Sequence, residues 1–252
     1  MNQENKIIEL TKSQLLLDYN CKITDFDKSK IIITKNDLVK GSRKFNDNPC
    51  FLKILCFSGR AIVSGDEHLL PWVEENLSKE DPNWLFEYPK LRFIDKEMNQ
   101  FGHELADIHH YYIPKANARI VKPLFDVNWF DQKEILQFKN DERFGEALGF
   151  KENHPDVIAV AAVDGSRIMG MAGASADSET LWQIGIDVLP EFRGKGVGTN
   201  LTALLKQAIL EKDRIPFYGT VESHNISKSI AISAGFIPAW AETYTTPKRG
   251  HR

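Results

Sequence analysis

The stretch Arg193-Gly194-Lys195-Gly196-Val197-Gly198 places three glycines at alternate positions. It lies between a β-prone run, Thr180 to Val188, and an amphipathic run, Thr199 to Glu211. Glycine adopts backbone angles closed to other residues and lets a ligand approach the main chain. The first N–H groups of a helix have no partner inside it and stand at the positive end of its dipole. A glycine turn feeding a helix is therefore a seat for a diphosphate, which accepts several N–H bonds at once. Arg193 and Lys195 add positive charge.

The spacing excludes two phosphate motifs. The nucleotide P-loop requires GxxxxGK[ST], but Val197 follows Gly196 and no Lys-Ser or Lys-Thr pair comes next. The dinucleotide fingerprint requires GxGxxG and an acid about 20 residues on. Here the spacing is GxGxG, and the next strand, Pro216 to Glu222, lacks an acid at the expected ribose position. What remains is (Arg/Gln)-x-x-Gly-x-(Gly/Ala), matched by Arg193, Gly196 and Gly198. Together with IGIDVLPEFRGKGVGTNL and, downstream, HNISKSIAISAGF, it resembles the GNAT superfamily of acyl-CoA-dependent N-acyltransferases. The resemblance covers about Arg119 to Tyr244, half the chain.

That resemblance implies acetyl-CoA as acyl donor and assigns roles. The main chain of Ile186, Asp187 and Val188 pairs with the pantetheine arm, and one N–H there polarises the thioester carbonyl. The amides of Arg193, Gly194, Lys195, Gly196, Val197, Gly198 and Thr199 hold the diphosphate. Asn225 matches the family's asparagine that bonds the arm, and Ser229, one turn on, assists it. Asn225 also reads as an ordinary helix N-cap. Many relatives carry a tyrosine seven residues after that asparagine, which protonates the leaving thiolate; this chain has Ile232. Tyr218 and Tyr244 are candidate substitutes, each also reading as a packing residue, or water does the work.

An amine attacks only when neutral, so a base or water chain must take its proton. Glu222, at the end of a strand, and Asp187 are the catalytic candidates, with Glu179 and His224 behind them. Each also reads as a solvated group at a strand end. The leading expectation is acetyl transfer from acetyl-CoA to a primary amine by direct attack in a ternary complex. The alternative is a non-catalytic acyl-CoA-binding sensor or interaction protein on the same fold. His103, Asp107, His109 and His110 cluster, with His103 and Asp107 at helical i, i+4 spacing, but no metal signature surrounds them. They read as surface or interface residues, and no metal is expected. Trp240 reads as core or as the lining of an acceptor pocket.

Elements must carry these groups. Ile7 to Leu17 reads as a helix, Lys30 to Thr34 as a strand, and Phe51 to Ser64 as a hairpin turning at Ser58-Gly59. Glu67 to Leu77 reads as a helix. Asp81-Pro82 and Tyr88-Pro89 are turn signals, and Phe101 to Tyr112 a helix running up to Pro114. A domain boundary falls near Lys115 to Ala118. Beyond it come a strand (Arg119 to Asp126) and a helix (Asp131 to Leu148, with Asp131 as N-cap). A hairpin follows, Val157 to Val163 and Arg167 to Ala174, turning at Asp164-Gly165. Then come strand, glycine turn, helix, strand, a short helix Asn225 to Ala234 capped by Gly235, and a last strand. This order is mixed α/β with antiparallel strands and one βαβ crossover, and not a doubly wound sheet. The resemblance implies a GNAT-like domain at 118–252, with a smaller α+β domain at 1–117. The latter shapes the acceptor site or makes a homodimer or interdomain surface.

Bulk properties agree. The chain has 252 residues, 42% hydrophobic and 27% charged, enough for two domains with sizeable cores. A net charge of -3 argues against general nucleic-acid binding. Three cysteines lack metal spacing and fit a reducing compartment. No apolar run approaches the ~18 residues of a membrane span, and the first twenty residues lack a signal-peptide core. The expected setting is cytoplasmic, with a small-molecule amine as partner and neither nucleic acid nor membrane.

Overall fold

The computed structural model describes residues 3–28, 30–45, 50–116 and 120–248. The expected boundary at 117/118, the first residue of the strand expected from Arg119, and the tail from residue 249 lie outside them. In chain order the elements are α1 (Gln3–Asp18), β1 (Ile32–Lys35), β2 (Leu52–Phe57), β3 (Arg60–Gly65), α2 (Leu70–Leu77), α3 (Tyr88–Met98), β4 (His103–Leu105) and β5 (His109–Pro114). There follow β6 (Asp126–Asp131), α4 (Gln132–Ile135), β7 (Asp156–Asp164), β8 (Arg167–Ala176), β9 (Leu181–Val188), α5 (Val197–Leu210), β10 (Ile215–Val221), α6 (Asn225–Ser233) and β11 (Phe236–Pro247). The mixed α/β class and the β9-α5-β10 crossover are as the sequence predicts.

The chain forms two compact units. One comprises the residues up to Thr11 together with Tyr111–Pro238; the other comprises Lys12–His110 and the residues from Ala239 onward. In the second unit the strand order is β1-β3-β2-β11. β2 and β3 form the expected hairpin, with Leu52 opposite Gly65 and Phe57 opposite Arg60. Leu52, Ile54, Val63, Val73, Leu77, Ile94 and Met98 make its core. Its charged centre is buried. Arg43 donates to Asp18 at 2.6 Å and to Glu242 at 3.0 Å, and the Tyr19 hydroxyl reaches Glu242 at 3.1 Å.

In the first unit the order is β5-β10-β9-β8-β7-β6. β6 through β9 run antiparallel to their neighbours, and β10 is parallel to β9. One face packs against α5 and α6 through Ile184, Leu201, Leu205, Ile209, Tyr218, Ala231 and Phe236. The other face packs against Ile135, Phe138, Phe144, Ala147 and Leu148. α5 buries Leu201, Leu204, Leu205 and Ile209, the apolar stripe of its sequence. Lys206 is only 1% exposed, and its ammonium donates to the carbonyls of Ala234 and Gly235 at the C-terminal end of α6. The Gly235 carbonyl also accepts from the Lys115 N–H, while Lys206 supplies the donor to Ala234 and so ties α6 to α5.

Four expectations fail locally. The run expected to be a strand up to Asp126 is held instead by side chains of α5: Asn200 binds Leu124 N–H and Lys122 C=O at 3.0 Å each, and Gln207 binds both polar groups of Val121. Pro123 has no N–H to give a ladder, and the strand begins only at Asp126. The long helix expected over 131–148 keeps its capping box at Asp131 but stops after one turn. Asn140 has φ +75°, and Asp141 starts a separate short turn. The run expected as a helix from Phe101 forms two strands instead, β4 and β5, since Gly102 at φ +73° ends the preceding helix and His103–Leu105 pairs with β11. Finally, Tyr88-Pro89 opens α3 instead of marking a loop, because proline suits a first helical turn. Lys206→Met leaves the buried Ala234 carbonyl without its donor, and should lower unfolding free energy by about 2 kcal/mol in urea titration.

Candidate active site

The registered pairs between β9 and β10 run from Leu181–Ile215 to Ile184–Tyr218 and end there. β9 continues to Val188 and β10 to Val221, so both strands extend past the last pair with no ladder between them. On its other side β9 stays paired with β8 up to Val188–Gly170. Gly185, Ile186, Asp187 and Val188 thus line a gap on one side only. On the β10 side, Gly219 has no room for a side chain, since a Cβ there would stand 2.7 Å from the Tyr111 ring.

The glycine turn stands at the end of β9. Gly194 and Gly196 have φ of +74° and +81°, and a Cβ on either would meet nothing within 4 Å. Their backbone therefore faces open space, in a conformation that favours glycine. Gly196 is the N-cap of α5 and supplies no side-chain cap. The first amides of α5 are left for an external acceptor. Gly198 is packed in: a Cβ would lie 3.2 Å from Val188 Cγ2 and 3.3 Å from Ile230 Cδ1. Arg193 and Lys195 are exposed. Arg193 Nε donates to the Val188 carbonyl at 3.1 Å, and the Lys195 ammonium sits 5.2 Å above the Phe192 ring. Both charges are thereby held beside the turn.

α6 begins at Asn225, with His224 as N-cap and no side-chain cap bond. The Asn225 side chain is exposed and has no hydrogen bond among the described residues, so it is not spent on capping. Ser229 is exposed one turn further. Ile232 is 57% exposed. Tyr218 is buried, its hydroxyl 2.8 Å from Ser227 Oγ, and burial pushes its phenol up while the nearby Glu146 and Asp187 charges add to the rise. Tyr244 lies in the other unit, its ring 5.5 Å from that of Phe45, and Trp240 is buried there beside Arg43.

The two catalytic candidates sit in different surroundings. Glu222, just past β10, is 70% exposed at its side chain and pairs with Lys228 at 3.2 Å. Asp187 is half-buried, and Oδ2 accepts from the backbone N–H groups of Glu146 and Ala147, at 2.9 Å each. Desolvation pushes its carboxyl up, outweighing those two bonds, which favour the anion. Glu179 is exposed in the β8–β9 turn, at the other end of β9 from the gap. Two glycines that sequence reasoning passed over explain how the Glu146–Ala147 backbone comes so close. Gly173 and Gly185 are cross-strand partners. A Cβ on Gly185 would stand 1.9 Å from the Glu146 carbonyl oxygen, and one on Gly173 would stand 2.1 Å from that of Ala147. An isolated glycine inside a strand is the available signal for such an approach. Among the described residues no three His, Cys, Asp or Glu side chains form a metal-binding group.

Residues 118–229 match the model of the Acetyltransferase (GNAT) family. That stretch, less than half of the chain, is similar to the GNAT acetyltransferases, a family that uses acyl-CoA as donor. Among solved structures, a GCN5-related N-acetyltransferase-like protein from Streptococcus suis 89/1591 is similar, at 14% identity and a TM-score of 0.49, over 96% of this chain and 100% of that one. A GCN5-related N-acetyltransferase from Kribbella flavida is similar at 15% identity and a TM-score of 0.45, over 65% of this chain and 66% of that one. No curated protein matches the chain in sequence.

A carboxyl whose folded value is raised carries stability that is full below its unfolded value and is lost as pH rises through the folded one. Asp187 therefore favours the folded state most at low pH. The stability difference between wild type and Asp187→Asn should fall as pH rises above 3.8, the carboxyl's ordinary value, in denaturant titrations.

Proposed function

We propose that this protein moves an acetyl group from acetyl-CoA to a primary amine, by direct attack within a ternary complex. The observation that carries the reading is the gap between β9 and β10, placed at the foot of a glycine turn whose helix lacks a side-chain cap. A pantetheine arm is an extended chain with amide groups and fits such a gap as an added strand. The residues present fit the donor. The amides of the turn and the first turn of α5 hold the diphosphate, with Arg193 and Lys195 beside it. Ile186 to Val188 offer backbone to the arm, and the unbonded amide of Asn225, with Ser229, reaches it from α6.

When bound, the donor supplies a thioester whose carbonyl carbon accepts the amine. An unpaired N–H of β9 polarises that carbonyl. Tyr218, kept protonated by burial and joined to Ser227, is the donor this chain offers where relatives use the tyrosine that Ile232 replaces. Among the described residues no helix is long and apolar enough to cross a membrane, and Cys21, Cys50 and Cys56 are thiols. Both fit work in the cytoplasm on a small amine.

Calorimetric titration with CoA and a thiol-release assay with acetyl-CoA and a panel of amines test the proposal together. Tight CoA binding and amine-dependent thiol release are expected. Gly196→Ala, which puts a side chain at φ +81°, should weaken CoA by about tenfold, the equivalent of ~1.4 kcal/mol of backbone strain. CoA binding with no turnover would favour a sensor, and no CoA binding would sink the reading.

A further inference from the structure

Glu146 is absent from every motif in the sequence, yet the fold spends several unusual features on it. Gly173 and Gly185 clear a trough across β8 and β9 in which the backbone of Glu146 and Ala147 lies. Asp187 fastens that backbone with two N–H bonds. Phe144, Ala147 and Leu148 are buried on either side, anchoring the turn in the core. Gly185 is the first residue of β9 beyond the last pair with β10, so the turn is pinned where the gap opens. The Glu146 side chain is exposed and makes no hydrogen bond or ion pair among the described residues. Its neighbours Asp141 and Arg143, by contrast, neutralise each other at 2.6 Å. The charge of Glu146 is felt at the buried Tyr218 hydroxyl, below the same opening.

We infer that Glu146 is the carboxylate that receives the acceptor's ammonium at the gap, and that Asp187 is a positioning residue that holds Glu146 there. The inference rests on the acetyl-transfer reading and completes its acceptor side. Glu146 binds the ammonium and takes one proton from it. The freed nitrogen forms a bond to the thioester carbon, and the carbon–sulfur bond breaks. The sulfur leaves as thiolate and takes a proton from Tyr218, which regains the second proton that the nitrogen sheds, and Glu146 returns its own proton to water. The acceptor class is a cationic primary amine, since a neutral or acidic nucleophile gains nothing from an unpaired carboxylate. Asp187 is turned to the Glu146–Ala147 backbone, with both N–H bonds directed to Oδ2, and serves to fasten the turn.

Three variants of the full chain test this: Glu146→Gln, Glu146→Asp and Asp187→Asn. The probes are CoA by calorimetry, acetyl transfer to ethylenediamine, spermidine, an amino-acid amide and an aminoglycoside, and amide hydrogen exchange. Glu146→Gln should lower kcat/KM for the amine about a hundredfold with unchanged CoA affinity, and Glu146→Asp should recover part of the loss. Asp187→Asn should speed exchange at the Glu146 and Ala147 amides about tenfold and raise the amine KM by a similar factor. Wild-type kinetics in Glu146→Gln, or unchanged exchange in Asp187→Asn, would overturn the inference. CoA binding without transfer to any of the amines would overturn it while leaving the donor site standing. Failure to bind CoA would overturn the acetyl-transfer reading itself.

Discussion

Past Ile184 and Tyr218, two adjacent parallel strands stop exchanging hydrogen bonds, although each runs on for several residues. Buried backbone groups are rarely left without partners, so a sheet interior opened in this way needs something to fill it. The remaining features of the first unit follow from that interruption. β8 holds β9 straight on the opposite side, so the gap does not collapse. The glycine turn begins where β9 ends, and it delivers the uncapped start of α5 to the mouth of the opening. α6, tied down by Lys206 at its far end, presents Asn225 and Ser229. A chain with a diphosphate at one end and a thioester at the other matches this layout from end to end.

The second face of the sheet carries the complementary constraint. A turn crossing β8 and β9 at backbone contact distance is incompatible with any side chain on Gly173 or Gly185. Its polar N–H groups need an acceptor in a half-buried place, and Asp187 supplies it. The same aspartate lines the gap with its backbone and gives its carboxylate to the opposite face. Successive side chains of a strand alternate in direction, so Ile186 and Val188 pack toward α5 and α6 while Gly185 and Asp187 face the turn. The gap and the turn are thereby coupled through four consecutive residues of one strand, Gly185 to Val188.

Elements with local signals were legible in the sequence. The β2–β3 hairpin, the Asp164-Gly165 hairpin, α5, α6 and the glycine turn all stand where turn chemistry and periodicity put them. Misreadings came where one local signal had two meanings. Pro89 starts a helix as readily as it ends one, and the apolar spacing over 131–148 reports burial correctly although the chain buries those residues through short separate turns. The strand expected before Asp126 failed because its hydrogen-bond partners, Asn200 and Gln207, lie about 80 residues away, and distant side chains leave no local trace. The candidate site divides in the same way. Its donor half is a contiguous motif. Its acceptor half depends on Glu146 meeting Gly185 and Asp187 across some 40 residues, and only the placement of two glycines hinted at it.

The account's central claim is that the gap between β9 and β10 receives the donor. A crystal structure of the protein with CoA tests it most directly. The account predicts the diphosphate on the amides of Val197 to Thr199, and the pantetheine arm between Ile186–Val188 and Gly219–Val221 with its sulfur near the Glu146 turn. A structure in which β9 and β10 pair along their full length, with CoA bound elsewhere, would contradict it.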